Sequence, residues 1–221
     1  MLQKQTCVRV GIFLIIFGIA PQVKSGTELW KKNQNKHSQE VEARIEQWQK
    51  LILTAKNLSE QEKLTQVNDF FNHLIKFSND IDLWSVGDYW AAPLEILIKG
   101  AGDCEDYSIA KYFTLKQMKV PDHKLRITYV KTLHLNQAHM VLSYYSNPSA
   151  EPVVLDNLMT EIKPTNERTD LLPMFSFNVS GLWLENSSGN GKKIGESMHL
   201  NMWAKLTKRM QHFNGVAHDQ L

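Results

Sequence analysis

Apolar residues recur along this chain with two different periods. Val41, Ile45, Trp48, Ile52 and Ala55 are spaced as one stripe of a helix whose other face carries Glu42, Arg44, Glu46 and Lys50. Ser59 with Glu62 three residues on is a capping-box pattern, and Leu64, Val67, Phe70, Phe71, Leu74 and Ile75 form a second stripe. The spacing predicts two antiparallel helices joined near Asn57, preceded by a polar, mobile lead-in from Thr27 to Ser38. From Asn79 to Pro93 the chain is a loop in which Trp84, Tyr89 and Trp90 alternate with Asp80, Asp82, Gly87 and Asp88. Such aromatics either pack on the core or wall a groove. Pro93 to Lys99 suits a short helix, and the apolar run from Ser108 to Met118 suits a longer one.

Beyond Pro121 the period changes to two. Leu125 to Lys131 alternates, and so does Ala138 to Tyr145, which puts His139 on the face of Val141, Ser143 and Tyr145. Val153 to Asp156 reads as a third strand and Phe175 to Leu184 as a fourth, with turns near Asn147 to Ala150 and Asn186 to Gly191. Leu200, Trp203, Leu206 and Met210 fit a closing helix. Helices followed by hairpin-compatible strands predict an α+β fold, with the helices packed on an antiparallel sheet.

Length and charge narrow the classes. A chain of 221 residues, 43% apolar, is long enough for one substantial core. A net charge of +2, with no basic block carrying interleaved aromatics, gives no case for nucleic acid as a partner. Lys4 and Arg9 precede an apolar run from Val10 to Ala20 that is shorter than the ~18 residues a bilayer span needs. With Val23-Lys24-Ser25 after it, this reads as a secretory signal over 1–25, leaving 26–221 as a single domain with no stable membrane insertion. Cys7 lies ahead of the apolar run and so is no lipidation site. Cleavage leaves Cys104 as the sole cysteine, and an odd thiol in an oxidising compartment is either paired between molecules or chemically active.

The surroundings of Cys104 favour activity. In Gly100-Ala101-Gly102-Asp103-Cys104-Glu105-Asp106-Tyr107 a glycine-punctuated loop gives way to a helix, and a thiol in a helix's first turn faces unpaired N–H groups that favour thiolate. Asp103, Glu105 and Asp106 work the other way, because like charge raises a thiol's pKa. Either they face solvent or a cation neutralises them, and clustered carboxylates are hard ligands of the kind Ca²⁺ takes. A histidine early in a strand and a carboxylate ending the next would complete a nucleophile, base and orienting acid: Cys104, His139 and Asp156. His134 is the competing base. No cysteine or HExxH pattern accompanies the two histidines, so zinc is not indicated. Spacing alone does not bring the three residues together.

Several stretches in order carry a resemblance. Asp88-Tyr89-Trp90-Ala91-Ala92-Pro93-Leu94-Glu95, Gly102 to Tyr107, Gln137-Ala138-His139-Met140-Val141-Leu142, Val154-Leu155-Asp156-Asn157, Phe175-Ser176-Phe177-Asn178 and Gly181-Leu182-Trp183-Leu184 resemble the bacterial transglutaminase-like cysteine proteinase family, within it the LapG type. The resemblance implies a papain-like and transglutaminase-like core with Cys104 as nucleophile, His139 as general base and acid, and Asp156 as its orienting partner. It also implies a Ca²⁺ site on Asp103, Glu105 and Asp106. Enzymes of this type are periplasmic, clip the N-terminal region of a large surface adhesin at a di-alanine-type sequence, and thereby disperse biofilm. They are restrained by the periplasmic domain of an inner-membrane cyclic di-GMP receptor. A transglutaminase or a peptidoglycan peptidase would use the same triad, and a non-catalytic, calcium-dependent binding module is the remaining alternative.

Overall fold

The structure is a computed structural model that describes residues 25–186 and 191–218, with side chains over 37–186 and 191–210. The expected signal segment, apart from its last residue, lies outside the described residues, as does most of the expected turn before Gly191. Contacts divide the chain into Met1–His37 and Ser38–Leu221. In the first unit residues 25–37 are helical, which corrects the expectation of a mobile lead-in. The second unit holds the remainder of that helix and every other element.

Helix α1 (Ser25–Thr54) is followed by a short 3₁₀ turn, Ala55–Asn57, and by α2 (Glu60–Leu74). Ser59 caps α2 as its sequence predicts: its Oγ accepts from Glu62 N–H at 3.3 Å and Glu62 Oε2 accepts from Ser59 N–H at 2.8 Å. Strand β1 (Lys76–Phe77) and the five-residue helix α3 (Asp80–Trp84) lead to α4 (Pro93–Lys99), then β2 (Ala101–Gly102) and α5 (Cys104–Gln117). Strands β3 (Leu125–Thr132), β4 (Gln137–Tyr144), β5 (Val153–Leu155), β6 (Lys163–Pro164), β7 (Leu171–Asn178), β8 (Gly181–Leu184) and β9 (Lys192–Gly195) come next, and α6 (Asn201–His218) closes the series.

Seven of these strands form one antiparallel sheet in the order β6-β5-β4-β3-β7-β8-β9. The α+β class and the antiparallel sheet are as expected. The single fourth strand is not: Phe175 to Leu184 folds back at Val179-Ser180, and Asn178 pairs with Gly181 in a β7–β8 hairpin. Asn178 holds that reversal, its Oδ1 accepting from Ser180 N–H at 2.7 Å.

The two faces of the sheet carry different cores. Ile127, Met140, Leu142 and Phe177 pack with α5 residues Ile109, Tyr112 and Leu115 and with Trp203 and Leu206 of α6. The aromatic rings there interlock, with Phe113 stacked on Trp203 and Trp203 edge-on to Phe177. On the other parity Val130, Val141, Val154 and Leu171 make a small second cluster. His139 lies in β4 two residues before Val141, and Asp156 follows directly on β5.

Candidate active site

Local structure fixes Cys104 at the first position of α5, with Asp103 as the N-cap. The loop before it is pinned by β2, which pairs in parallel with β1: Lys76 N–H donates to Gly100 O and Ser78 N–H to Gly102 O, both at 3.0 Å. Gly100 has φ +68°, a left-handed conformation that suits glycine at a helix end. At Gly102 the constraint is space, since a Cβ would lie 2.8 Å from Asp106 Oδ2 and 2.9 Å from Ile96 Cδ1.

His139 is 5% exposed, and its Nε2 lies 2.8 Å from Asp156 Oδ1. With Nε2 engaged, Nδ1 is the ring nitrogen left for a substrate or a thiol. Cys104 and His139 line one cavity of about 350 Å³, walled also by Trp90, Tyr129, Met140, Phe175 and Met202. His134, the competing base, is exposed on the β3–β4 loop. Trp90 both packs, stacked on Phe177, and lines the groove, so the two alternatives for the aromatic loop are both realised.

Asp156 is held from every side. Its Oδ1 also accepts from Leu158 N–H at 3.0 Å, Arg168 Nη2 donates to its Oδ2 at 2.8 Å, and Asn72 and Lys111 donate to its backbone oxygen at 2.8 and 3.1 Å. Burial works to raise its pKa, but the bond and charge of His139 with those of its other partners outweigh this and hold the carboxyl down at about 2. Burial pushes the Lys111 ammonium down to about 7.

The groups around the thiol work against its ionisation. Cys104 Sγ donates to Glu105 Oε2 at 3.0 Å, and burial followed by the Glu105 charge pushes its pKa up, opposed by the Met140 N–H that hydrogen-bonds the sulfur. The carboxylates around it form two overlapping groups, Asp80, Asp103 and Asp106, and Asp80, Asp88 and Glu105, with one oxygen from each member within 4.8 Å of the others. In the first group Asp80 Oδ1, Asp103 Oδ1 and Asp106 Oδ2 are buried with no hydrogen-bond partner among the described residues. Burial, with the neighbouring negative charges, raises Asp103 to about 9 and Asp106 to about 8. Orphaned buried oxygens converging from three carboxylates are what a hard divalent cation takes, so this donor set fits one.

The three acids expected from sequence are divided between the two groups, Asp103 and Asp106 meeting Asp80, and Glu105 meeting Asp80 and Asp88; the sequence does not mark Asp80 or Asp88 as ligands. The available signal is that these two acids are interleaved among the aromatics of 79–93, but α3 is too short for periodicity to reveal. Arg168 and Lys111 carry no sequence signal.

Residues 26–184 match the family of bacterial transglutaminase-like cysteine proteinases, BTLCP. Among curated proteins none matches the chain. The fold is similar to that of LapG from Legionella pneumophila. Its EGTA-treated form is 41% identical with a TM-score of 0.70, covering 81% of this chain and 96% of that one. Its calcium-bound form is 40% identical with a TM-score of 0.69, covering 81% and 98%. Among the described residues no helix is long and apolar enough to cross a membrane. With the family matched over most of the chain and the fold shared with LapG, the chain belongs to the bacterial transglutaminase-like cysteine proteinases, of LapG type.

Proposed function

We propose that this protein is a calcium-dependent periplasmic cysteine endopeptidase that clips the N-terminal region of a large surface adhesin at a di-alanine-type site, releasing it and dispersing biofilm. The observation that carries the reading is the His139–Asp156 pair opening onto the same cavity as Cys104 at the head of α5. Aromatic and methionine walls leave a groove of about 350 Å³, suited to an extended peptide with small side chains. The periplasmic domain of an inner-membrane cyclic di-GMP receptor is the proposed inhibitory partner.

The chemistry is acyl transfer. His139 takes the proton from Cys104, and the sulfur attacks the scissile carbonyl. Backbone N–H groups at the start of α5, that of Cys104 included, face the developing oxyanion. His139 returns the proton to the leaving amine, and the C–N bond breaks to leave a thioester. Water then adds to the thioester, giving its proton to His139, and Cys104 leaves as the thiol. Asp156 keeps Nε2–H occupied throughout, so that Nδ1 serves as the base. Asp103, Glu105 and Asp106, with Asp80 and Asp88 beside them, would hold Ca²⁺, which supplies positive charge among the carboxylates and fixes the loop that carries the nucleophile.

The test is to mix the protein with the candidate adhesin's N-terminal fragment and identify new termini by mass spectrometry. Cys104→Ala is expected to abolish cleavage while keeping the wild-type melting transition, and excess EGTA is expected to abolish it until Ca²⁺ is restored. The Asp103→Ala, Glu105→Ala double variant should behave as the chelated enzyme does. Proteolysis by purified Cys104→Ala would overturn the nucleophile, and full turnover in EGTA would overturn the ion. Cleavage of muropeptides in place of the adhesin fragment would move the substrate to peptidoglycan.

A further inference from the structure

Asp156 is the acid that orients His139, and a carboxylate that is 1% exposed has no bulk water to set its own orientation. Something in the protein must decide which oxygen faces the ring. The partner of its second oxygen is Arg168, itself 2% exposed, whose Nη2 donates to Oδ2 at 2.8 Å. Arg168 is fixed in turn by Asp170, with Nε donating to Oδ1 at 2.9 Å and Nη2 to Oδ2 at 2.8 Å. Its backbone closes a tight turn ahead of β7, its N–H donating to Thr165 O and its carbonyl accepting from Leu171 N–H, both at 3.0 Å.

Burying a guanidinium is expensive, and a well-packed apolar side chain at such a site is often as good for stability. The planar fork has a use here that an apolar residue lacks. It takes Oδ2 in a fixed plane, which leaves Oδ1 for Nε2 of His139 and the Leu158 N–H. Arg168 lines a small cavity with Val130, Val141 and Val154, and so reaches Asp156 from the thin core of the sheet, away from the substrate groove. We propose that Arg168 is a positioning residue for the catalytic pair, acting through Asp156 to hold His139 in the tautomer with the proton on Nε2.

The proposal rests on the reading of Cys104, His139 and Asp156 as the reacting groups, and the experiment separates the two. Steady-state cleavage of the adhesin fragment is measured for wild type, Arg168→Met, Arg168→Lys, Asp170→Asn and Asp156→Asn, all calcium-loaded. The imidazole ¹⁵N shifts of His139 are recorded alongside. Arg168→Met is expected to lose about ten- to a hundredfold in kcat with KM little changed, the range seen when the outer partners that orient metal-bound imidazoles are removed. Its His139 should become a mixture of tautomers where the wild type has Nε2–H alone. Arg168→Lys, which keeps the charge without the fork, should recover part of kcat. Asp170→Asn, which loosens Arg168 without stripping Asp156 of its partner, should show the same changes in smaller degree and stands in if Arg168→Met does not fold. Wild-type kcat in Arg168→Met, or in Asp170→Asn where that variant stands in, overturns the proposal. So does a fall in kcat with the tautomer unchanged, which would mark Arg168 as structural. Wild-type kcat in Asp156→Asn would overturn the triad itself, whatever Arg168 does.

Discussion

Asp156 is the residue at which electrostatics and geometry meet most closely. Its carboxyl is held at about 2 against 3.8 for the free side chain. For an acid with a depressed folded pKa, the stability it contributes is present in full above the unfolded value and is lost as pH falls through the folded one. The window here is therefore about pH 4 down to about pH 2, and the contribution is on the order of 2 kcal/mol. Urea unfolding of wild type and Asp156→Asn should show a stability gap above that window which closes within it. A gap that stays constant across the window would mean that Asp156 is not held ionised by its partners. Cys104, His139 and Asp156 stand out in the sequence as candidates because each announces itself locally, as a lone thiol at a loop-to-helix junction, a histidine in an alternating strand and an acid at a strand's end. Asp80 and Arg168 do not, because what singles them out is a neighbour far away in the chain: the acids of α5 for Asp80 and Asp156 for Arg168.

At the scale of elements, the loop that carries Cys104 follows directly on a short helix, capped by Glu95 at its start and Gly100 at its end. Helix α4 is seven residues long, below the length at which helices are stable alone. Its last carbonyls are taken by Arg44 of α1, with Nε donating to Leu97 O at 2.6 Å and Nη2 to Ile98 O at 3.1 Å. A cation at a helix C-terminus meets both the unpaired carbonyls and the negative end of the dipole. Arg44→Ala should lower stability by about 1–2 kcal/mol, which differential scanning calorimetry would read as a fall in melting temperature of about 2–8 °C. An unchanged transition would show that α4 is held by its apolar contacts alone. The long helices, β3 and β4 are readable because their apolar periods run for many residues. The β7–β8 hairpin passes for one strand because its reversal takes only Val179 and Ser180 between two apolar runs, and Ser180-Gly181 is the single turn signal there. Strands as short as β6 and β9 exist only through pairing with β5 and β8 and leave no period to find.

At the scale of the whole molecule, α5 carries Cys104 at its head and the acids beside it, β4 carries His139, and Asp156 follows β5. The groove lies where helices and sheet meet, with Leu200 and the first residues of α6, Asn201 and Met202, along one wall. Chain order separates Cys104, His139 and Asp156, and only tertiary packing brings the first two to one cavity and the last two into a hydrogen bond. The most direct measurement of that junction is the rate at which iodoacetamide alkylates Cys104 at neutral pH in the calcium-loaded protein, followed by mass spectrometry of the Cys104 peptide. Wild-type Cys104 is expected to react at least about tenfold faster than an unstructured peptide thiol, as an activated cysteine does, and His139→Ala is expected to lose that advantage. Equal rates in wild type and His139→Ala, or a wild-type Cys104 slower than the free thiol, would contradict a cysteine nucleophile activated by His139.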